Sequence, residues 1–537
     1  ELVSDLDFDT NGDGQMNELD TYWNNGEGWE PIGFSERNPF SSIFDGKGHQ
    51  IRNIYSVSDS YGKGLFGYAT NSVLSNLVLN GPLTRITGRS TIGILAGKLS
   101  NSSVYSVYTA GDILASGMWS NAGGVAGMVS GASLQNIHSA TVIEGSERVG
   151  GVVGYAYSGA RITQVLATGE ITGPNSNSKG GIVGIFLEPH DASSSYWATD
   201  TSGQTTSAST NASYFGALLS ELQCPTSSDN STCTDKGTLY ENWDSEVWDF
   251  GSNRQLPGLI MNGVVYRDSD GDGALDEEDA YPDTFAASLD TDKDGYPDNY
   301  SRGCSSTCVV ESGLFFDAFP DNSAGGLDAD LDGLVDKWAD SCDTTCQTSS
   351  GLTFDDYPND HDNDGISDAI DTDDNNDGIV DADADSDGLI DIASLEELNA
   401  IRFALDGSGQ IMIDEGLWDN SGCPIILWEG IAQQRCHGYE LIADLDFDTN
   451  GDGQMNELDT YWNDGEGWEP IGLSTSAAFS TNFNGNGHRI SNLYVDRFGY
   501  SGLFGHIVGT SKQLVEVTRV AITGPMTSIT GSYHVGI

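Results

Sequence analysis

The sequence predicts a mostly β protein: a right-handed β-solenoid (β-helix) module with a short helical cap, linked by an irregular acidic rod to the start of a second module. Three observations carry this expectation. A Gly-ended apolar turn recurs through the first 190 residues at a nearly constant spacing. Residues 1–33 return almost unchanged 439 positions later. Between the two copies, aspartates alternate with other residues in short runs that end in glycine.

The turn ends at Gly67, Gly97, Gly127, Gly154 and Gly184, with spacings of 30, 30, 27 and 30 residues. Between these turns a second element recurs: Ile51-Arg52-Asn53-Ile54, Leu74-Ser75-Asn76-Leu77, Val104-Tyr105-Ser106-Val107, Leu134-Gln135-Asn136-Ile137 and Ile162-Thr163-Gln164-Val165. Short alternating runs punctuated by glycine signal strands. A fixed period near 30 residues then means one solenoid coil per repeat. Coils would stack about 4.8 Å apart, the ordinary strand spacing. Asn53, Asn76, Ser106, Asn136 and Gln164 are expected to form a polar ladder at one turn. The glycines suit corners that need φ > 0 or close packing.

The long repeat pairs Glu1–Gly33 with Glu440–Gly472 and continues at Phe44–His49 and Phe483–His488. The sequence opens in mid-motif and stops inside the second copy, so a longer tandem array is expected. The expected divisions are a solenoid with an N-terminal loop (1–215), a closing segment (216–262), an acidic repeat segment (263–391), a helical cap and disulfide loop (392–439), and the start of the next solenoid (440–537). Residues 394–405 are expected to be helical, with Ser394 as N-cap and Glu397 completing a capping box. Such a helix would cover the open end of a solenoid, which is otherwise an exposed sheet edge.

The 537 residues carry a formal charge of −59, with 68 Gly and only 22 Lys and Arg. That balance excludes ordinary nucleic-acid binding, because like charge repels phosphate. No run of 18 apolar residues exists, so no membrane span is expected. The eight cysteines fall into close pairs, Cys224/Cys233, Cys304/Cys308, Cys342/Cys346 and Cys423/Cys436. Four disulfides and an oxidising, extracellular or cell-surface setting follow from that pairing. The alternative is zinc bound by the pairs with three intervening residues, without histidine at ligand spacing.

From Asp268 to Asp391 there are 36 Asp and Glu against Lys293, Arg302 and Lys337. Such a segment is either disordered or ordered by cations. The recurring pattern is D-x-[DN]-x-D-G-x-x-D. It offers side-chain oxygens at positions 1, 3 and 5, a turn at 6 and a further carboxylate at 9, which suits a hard cation. Multiple Ca²⁺ ions are expected rather than Mg²⁺, which rarely uses all-protein carboxylate cages. Two loops have an acid at position 12 as well: Asp268, Asp270, Asp272, Asp276 and Asp279, and Asp360, Asp362, Asp364, Asp368 and Asp371. Four lack it: Asp290, Asp292, Asp294 and Asp298; Asp328, Asp330, Asp332 and Asp336; Asp373, Asn375, Asp377 and Asp381; and Asp383, Asp385, Asp387 and Asp391. A further loop reads Asp9, Asn11, Asp13, Asn17 and Asp20, with a second register from Asp7 to Glu18. It repeats as Asp448, Asn450, Asp452, Asn456 and Asp459.

These motifs carry resemblances. FDGKGHQIRNIYSV (44–57), GLFG (64–67), KGGIVG (179–184), SYWATDTSGQTTSA (195–208) and VWDFGSNRQLPGL (247–259) resemble the GLUG-motif repeats of large bacterial surface proteins. The resemblance covers 1–262 and restarts near 386. It implies a β-helix used as an extracellular spacer or adhesin scaffold, with no catalytic residues. The 9–20 loop resembles a dockerin or EF-hand calcium loop. The four loops without a position-12 acid resemble thrombospondin type 3 repeats, in which neighbouring units share calcium ligands.

Three functions compete. The first is a structural repeat of a giant extracellular fibre or adhesin stalk, stiffened by Ca²⁺ and disulfides. Its partners would be neighbouring copies of the same repeat, in an array or a self-assembling filament. The second is a calcium-dependent adhesin module whose solenoid face or Trp-bearing loop (Trp23 and Trp29, repeated as Trp462 and Trp468) binds a cell-surface glycan or partner. Those tryptophans read first as packing residues, and His49, His138 and His488 as structural. The third is a polysaccharide-active β-helix enzyme, which needs paired carboxylates in a groove. Acids in 44–190 are scattered (Asp45, Asp59, Asp112, Glu144, Glu147, Glu170, Glu188), so no enzyme is expected.

Overall fold

The computed structural model describes the chain except residues 59, 118, 174–177, 188–193, 209–213, 224–238, 241, 253, 302–303, 305, 331, 340, 362–364, 366, 368–381, 385–386, 408–422, 424, 429–430, 475–476, 510–514 and 532–537. Two compact units emerge. One holds Glu1–Lys293 and Pro297–Phe315; the other holds Asp294–Tyr296 and Phe316–Ile537.

The first unit is a β-solenoid of three parallel sheets. One runs through Phe66–Thr70, Ala96–Ser100, Ala126–Ser130, Val153–Tyr157 and Val183–Phe186. Its register pairs Phe66 with Ala96, Ala96 with Ala126, Ala126 with Val153 and Val153 with Val183. Those steps reproduce the glycine spacing of the sequence. A second sheet stacks the short strands Tyr61–Lys63, Ser90–Ile92, Ala122–Gly123, Val149–Gly150 and Lys179–Gly180. The widest sheet contains Val73–Asn80, Ser103–Ala115, Ser133–Gly145 and Arg161–Ala167. Matched apolar residues stack inward across it: Leu74, Val104, Leu134 and Ile162 form one row, and Leu77, Val107, Ile137 and Val165 another. All eight are buried in one continuous core.

The recurring glycines resolve to close packing, not to positive φ. A Cβ on Gly127 would lie 2.2 Å from the Ile92 nitrogen, and one on Gly97 would lie 2.6 Å from the Gly62 Cα. Positive φ falls instead on the polar residues: Asn53, Asn76, Ser106, Asn136 and Gln164 have φ of 56°, 52°, 54°, 56° and 54°. Asparagine tolerates the left-handed region best among residues with a Cβ. Asn76, Ser106, Asn136 and Gln164 mark one corner of successive coils. Asn53 follows the Gln50–Arg52 strand, which is aligned with Val78–Asn80, and so lies at a different corner. The expected ladder is therefore four residues long and is not one of mutual bonds. Asn53 donates to Asp7 (2.8 Å) and Asn76 to Asp45 (2.9 Å), while Asn136 accepts from the Trp248 indole (3.1 Å) and Gln164 from Gln135 (2.6 Å).

The widest sheet is apolar on its outer face too. Val78, Tyr108, His138 and Leu166 are in register there. A sheet buried on both sides needs a second layer. That layer is the closing segment. It forms an antiparallel sheet of Trp248–Asp249, Gly258–Met261 and Val264–Tyr266. Val78, Tyr108 and Leu166 share a second core with Trp243, Trp248, Leu259 and Leu275.

In the second unit, Ile390–Ile392 pairs in parallel with Gly438–Leu441, which pairs with Asn482–Asn484 and then Val517–Thr518. The expected helix forms at Leu395–Ala400 and tightens to a 3-10 turn at Ile401–Phe403. Its capping box is made: Ser394 Oγ accepts from the Glu397 N–H (3.2 Å), and the Glu397 carboxylate accepts from the Ser394 N–H (2.8 Å). Leu398, Ala400 and Ile401 are buried against the new solenoid core.

Cys304–Cys308, Cys342–Cys346 and Cys423–Cys436 are disulfides. The zinc alternative fails for Cys304/Cys308 and Cys342/Cys346, because sulfur spent in an S–S bond offers no thiolate. Cys224 and Cys233 lie outside the described residues.

Replacing Gly127 by Ala forces a methyl group into the neighbouring coil's backbone. The expected cost is about 1–3 kcal/mol, read as a lowered denaturant midpoint of the full chain. An unchanged midpoint would contradict the close-packed corner.

Candidate metal centres

The first acidic loop grows directly out of the closing sheet. Tyr266 ends the last strand, and its hydroxyl donates to the Gly48 carbonyl of the solenoid. The chain then turns through Gly271 (φ 83°) and Gly273 (φ 103°), conformations that a residue without Cβ adopts freely. Leu275 is buried in the core beneath the loop, and the Asp276 N–H closes it onto the Arg267 carbonyl (2.8 Å). Oxygens of Asp268, Asp270 and Asp272 converge to within 4.8 Å of one another. Asp268 is 0% and Asp270 2% exposed.

Backbone and hydroxyl donors hold this triad. Asp268 accepts from the N–H groups of Gly271 (2.7 Å) and Gly273 (3.1 Å), and the Tyr108 hydroxyl lies 3.0 Å away. Asp272 accepts from the Ala274 N–H (2.8 Å) and Ser301 Oγ (2.8 Å). One oxygen of Asp270 accepts from the Asp272 N–H (3.2 Å); the other is buried without a hydrogen-bond partner. Asp276 is occupied by the Ser269 N–H (2.7 Å) and hydroxyl (2.8 Å).

Such crowding disfavours ionisation. Burial, then the neighbouring charge of Asp272, raises Asp268 well above the usual carboxylate range. Burial and the charges of Asp272 and Asp268 push Asp270 up to about 10. Burial raises Asp272 to about 6, and burial with Asp272 raises Asp279 to about 7. A cation among these oxygens would remove the conflict, because it supplies the missing counter-charge.

The loop Asp328–Asp336 is built alike. Asp328, Asp330 and Asp332 are gathered within 4.8 Å. Gly333 donates to Asp328 (3.0 Å), Leu334 to Asp332 (2.6 Å) and Ala329 to Asp336 (2.8 Å). Burial and the charges of Asp330 and Asp328 raise Asp336 to about 7. The Asp360 N–H donates to Asp330 (2.9 Å), so the next acidic loop begins against this one. In the loop between these two, the Thr291 N–H donates to Asp298 (3.0 Å) and the Lys293 N–H to Asp290 (2.6 Å). Asp290, Asp292 and Asp298 belong to the first unit and Asp294 to the second.

Asp383 accepts from Asp387 (3.1 Å) and Gly388 (2.8 Å), and the Asp391 carboxylate from Ala384 (3.2 Å). Sulfurs of Cys423 and Cys436 lie beside Asp383, but they are joined to each other. Asp362, Asp364, Asp368, Asp371, Asp373, Asn375, Asp377, Asp381 and Asp385 lie outside the described residues.

The 9–20 loop differs. Asp9 accepts from Gly12 (2.8 Å), Asp13 (3.3 Å) and Gly14 (2.9 Å). Asn11 and Asn17 both donate to Asp13 (2.8 Å each), and Asp20 accepts from Thr10 (2.7 Å) and Asn17 (2.9 Å). Its acids are not among the groups gathered within 4.8 Å in the described residues. Asp7 is held by Asn53, and Glu18 is exposed. The copy repeats the pattern: Asp448 accepts from Asp452 (3.1 Å) and Gly453 (2.9 Å), Asn450 and Asn456 donate to Asp459 (3.4 and 2.9 Å), and Asn456 donates to Asp452 (3.0 Å).

Two buried aspartates of the acidic segment escaped the sequence reading. Asp317 is 0% and Asp355 2% exposed. With Asp279 they share the pattern Asp-x-Phe/Tyr-Pro, at intervals of 38 residues. Each accepts from the N–H of its aromatic residue, at 2.7, 2.7 and 2.6 Å for Asp279, Asp317 and Asp355. The same interval separates Asp290 from Asp328 and Cys304 from Cys342. A search for that internal period would have found them.

The tryptophans pack. Trp23 stacks on Tyr55 with centroids 5.4 Å apart, and the Trp29 indole donates to the Leu65 carbonyl (3.1 Å). His49 bonds Asp5 (2.9 Å) and His488 lies 3.3 Å from Asp444. His138 is buried edge-on to Tyr108, and burial lowers it to about 3, so it stays neutral.

No family model matches this chain, and no solved structure matches it. It is 37% identical over 107 residues to Halomucin of Haloquadratum walsbyi. That stretch covers 19% of this chain and 1% of Halomucin.

Acids raised in the folded state destabilise it once they ionise; the penalty is absent below the unfolded pKa and grows as pH rises toward the folded one. The metal-free chain is therefore expected to have a lower denaturant midpoint at pH 8 than at pH 5.5, with excess divalent cation closing the gap. Asp270→Asn should raise the metal-free midpoint at pH 8 and shrink the metal-induced gain, which is about 2.7 kcal/mol at a hundredfold excess over Kd. A variant that responds to metal like the parent chain would remove Asp270 from the ligand set.

Proposed function

We propose that this chain is a structural repeat of a large extracellular fibre or stalk, in which calcium held by aspartate loops fixes the segment between successive solenoids. One observation carries the reading: Asp268, Asp270 and Asp272 converge with one buried oxygen left unbonded. Calcium accommodates six to eight oxygen ligands, including carboxylates and carbonyls, in flexible geometry. The resemblances to GLUG-motif and thrombospondin type 3 repeats support it, as do the disulfides, which persist in oxidising surroundings.

The near identity of residues 1–33 and 440–472 suits a mechanical role repeated along an array. Neighbouring copies are its partners in this reading, and it needs no catalytic group. The glycan-binding alternative has less support, since Trp23 and Trp29 are engaged by the solenoid.

Small-angle scattering of the full chain tests the proposal. Chelation should change the radius of gyration, and calcium should restore it, while the far-ultraviolet β signal stays constant. Identical scattering with and without chelator would contradict a calcium-fixed segment.

A further inference from the structure

Two acidic loops of one pattern differ in how far the chain runs before its next buried acid. In the first, Asp279 follows Asp276 by three residues and opens the run Asp279-Ala280-Tyr281-Pro282. In the loop 328–336, position 12 is Ala339, and the matching run Asp355-Asp356-Tyr357-Pro358 begins nineteen residues after Asp336. The sixteen additional residues carry Cys342 and Cys346. Asp298 and Asp317 stand at the same nineteen-residue interval, around Cys304 and Cys308. This is the pattern of a loop interrupted by an insert, not of a loop without its last acid.

The fold closes the interruption. The insert forms the helix Thr344–Ser349, with the Cys342–Cys346 disulfide at its start. Ala339 and Cys342 pack with Ala324 in a small core, and Leu352 lies against it. The chain then returns to the loop. Phe354 bridges Val335 in parallel; the Val335 N–H donates to the Thr353 carbonyl (2.9 Å) and the Asp355 N–H to the Val335 carbonyl (3.0 Å). Trp338 stacks on Phe354, with centroids 6.2 Å apart. Asp355 is thereby held beside Asp336, and the two carboxyls are in contact. Asp355 is 2% exposed. One of its oxygens accepts from the Tyr357 N–H (2.6 Å); the other is buried with no hydrogen-bond partner among the described residues. Like Asp279, Asp355 lies outside the three acids gathered within 4.8 Å in its loop. Each interacts with the position-9 acid, Asp276 or Asp336. Two carboxyls in contact and out of water need a proton or a cation between them.

We infer that Asp355 is the displaced position-12 ligand of the 328–336 loop, so that Asp328, Asp330, Asp332 and Asp355 hold one divalent cation together. The disulfide-closed insert separates this acid from the loop in sequence, and the return of the chain restores it in space. The inference rests on the calcium reading above and adds a ligand that the D-x-[DN]-x-D-G-x-x-D pattern does not contain. Calcium's flexible coordination shell admits a carboxylate delivered from beyond the loop.

Hydrogen exchange of the full chain, followed peptide by peptide along a calcium titration, tests this. Asp355→Asn keeps the acceptor for the Tyr357 N–H but removes a charged ligand. It should raise the calcium concentration that half-protects 328–339 by about tenfold or more. The midpoint at 268–279 should keep its parental value, and Asp356→Asn, at the exposed neighbour, should shift neither midpoint. An unshifted midpoint at 328–339 in Asp355→Asn, with calcium protection intact at 268–279, would overturn this inference and leave the calcium reading standing. No calcium protection at either loop would overturn both. Crystals of the parent chain grown in calcium give a check that does not depend on the variant's folding. An ion in the 328–336 loop should lie within about 2.3–2.6 Å of an Asp355 oxygen; an ion held there without Asp355 would overturn the assignment.

Discussion

Three carboxylates of one short loop lie against an apolar β face, and two of them are almost out of reach of water. Asp268 and Asp270 sit there because the closing sheet pins Tyr266 on one side of the loop and Leu275 anchors the other. Taking ionised carboxylates out of water costs several kcal/mol each unless an opposite charge accompanies them. Arg267, which precedes the triad in the chain, pairs with Asp249 and lies 4.0 Å from the rim residue Asp276. Among the described residues no ion pair reaches the triad, so a bound cation or protons would supply its counter-charge. Everything that distinguishes this loop from the exposed 9–20 loop follows from that burial.

The solenoid makes the burial possible. Its widest sheet is apolar on both faces, so it requires a second layer as well as an inner core. The closing segment supplies that layer and delivers the chain into the acidic loop at a fixed place on the coil stack, beside Tyr108. The pairing of Arg52 with Glu278 holds the far end of the loop to the same face. A cation held by the triad would thus be mechanically linked to the cover over the solenoid in the first unit.

Much of this was legible in the sequence. Coil spacing, inward rows and the capping box depend on local periodicity and pattern, and they fold where the residues say. Disulfides between close cysteines are legible for the same reason. The double-sided character of the widest sheet was visible only as apolar pairs such as Leu77-Val78, which alternation rules do not interpret. Where the first acidic loop lands was not legible, because contact between Tyr108 and Asp268 spans 160 residues. Asp317 and Asp355 went unseen because their signal is a 38-residue period rather than a loop pattern. Four of the corner residues were read correctly as a set, but Asn53 belongs to a different corner, because the first coil's spacing departs from the later period, and the bonds go to partners set by tertiary structure.

The central claim is that a divalent cation occupies the Asp268–Asp272 triad. Anomalous diffraction from crystals of the full chain grown in calcium tests it most directly. The account predicts an anomalous peak between Asp268, Asp270 and Asp272, within about 2.3–2.6 Å of an oxygen from each. An ordered loop with no peak at that point would contradict it, and the triad would then be neutralised by protons.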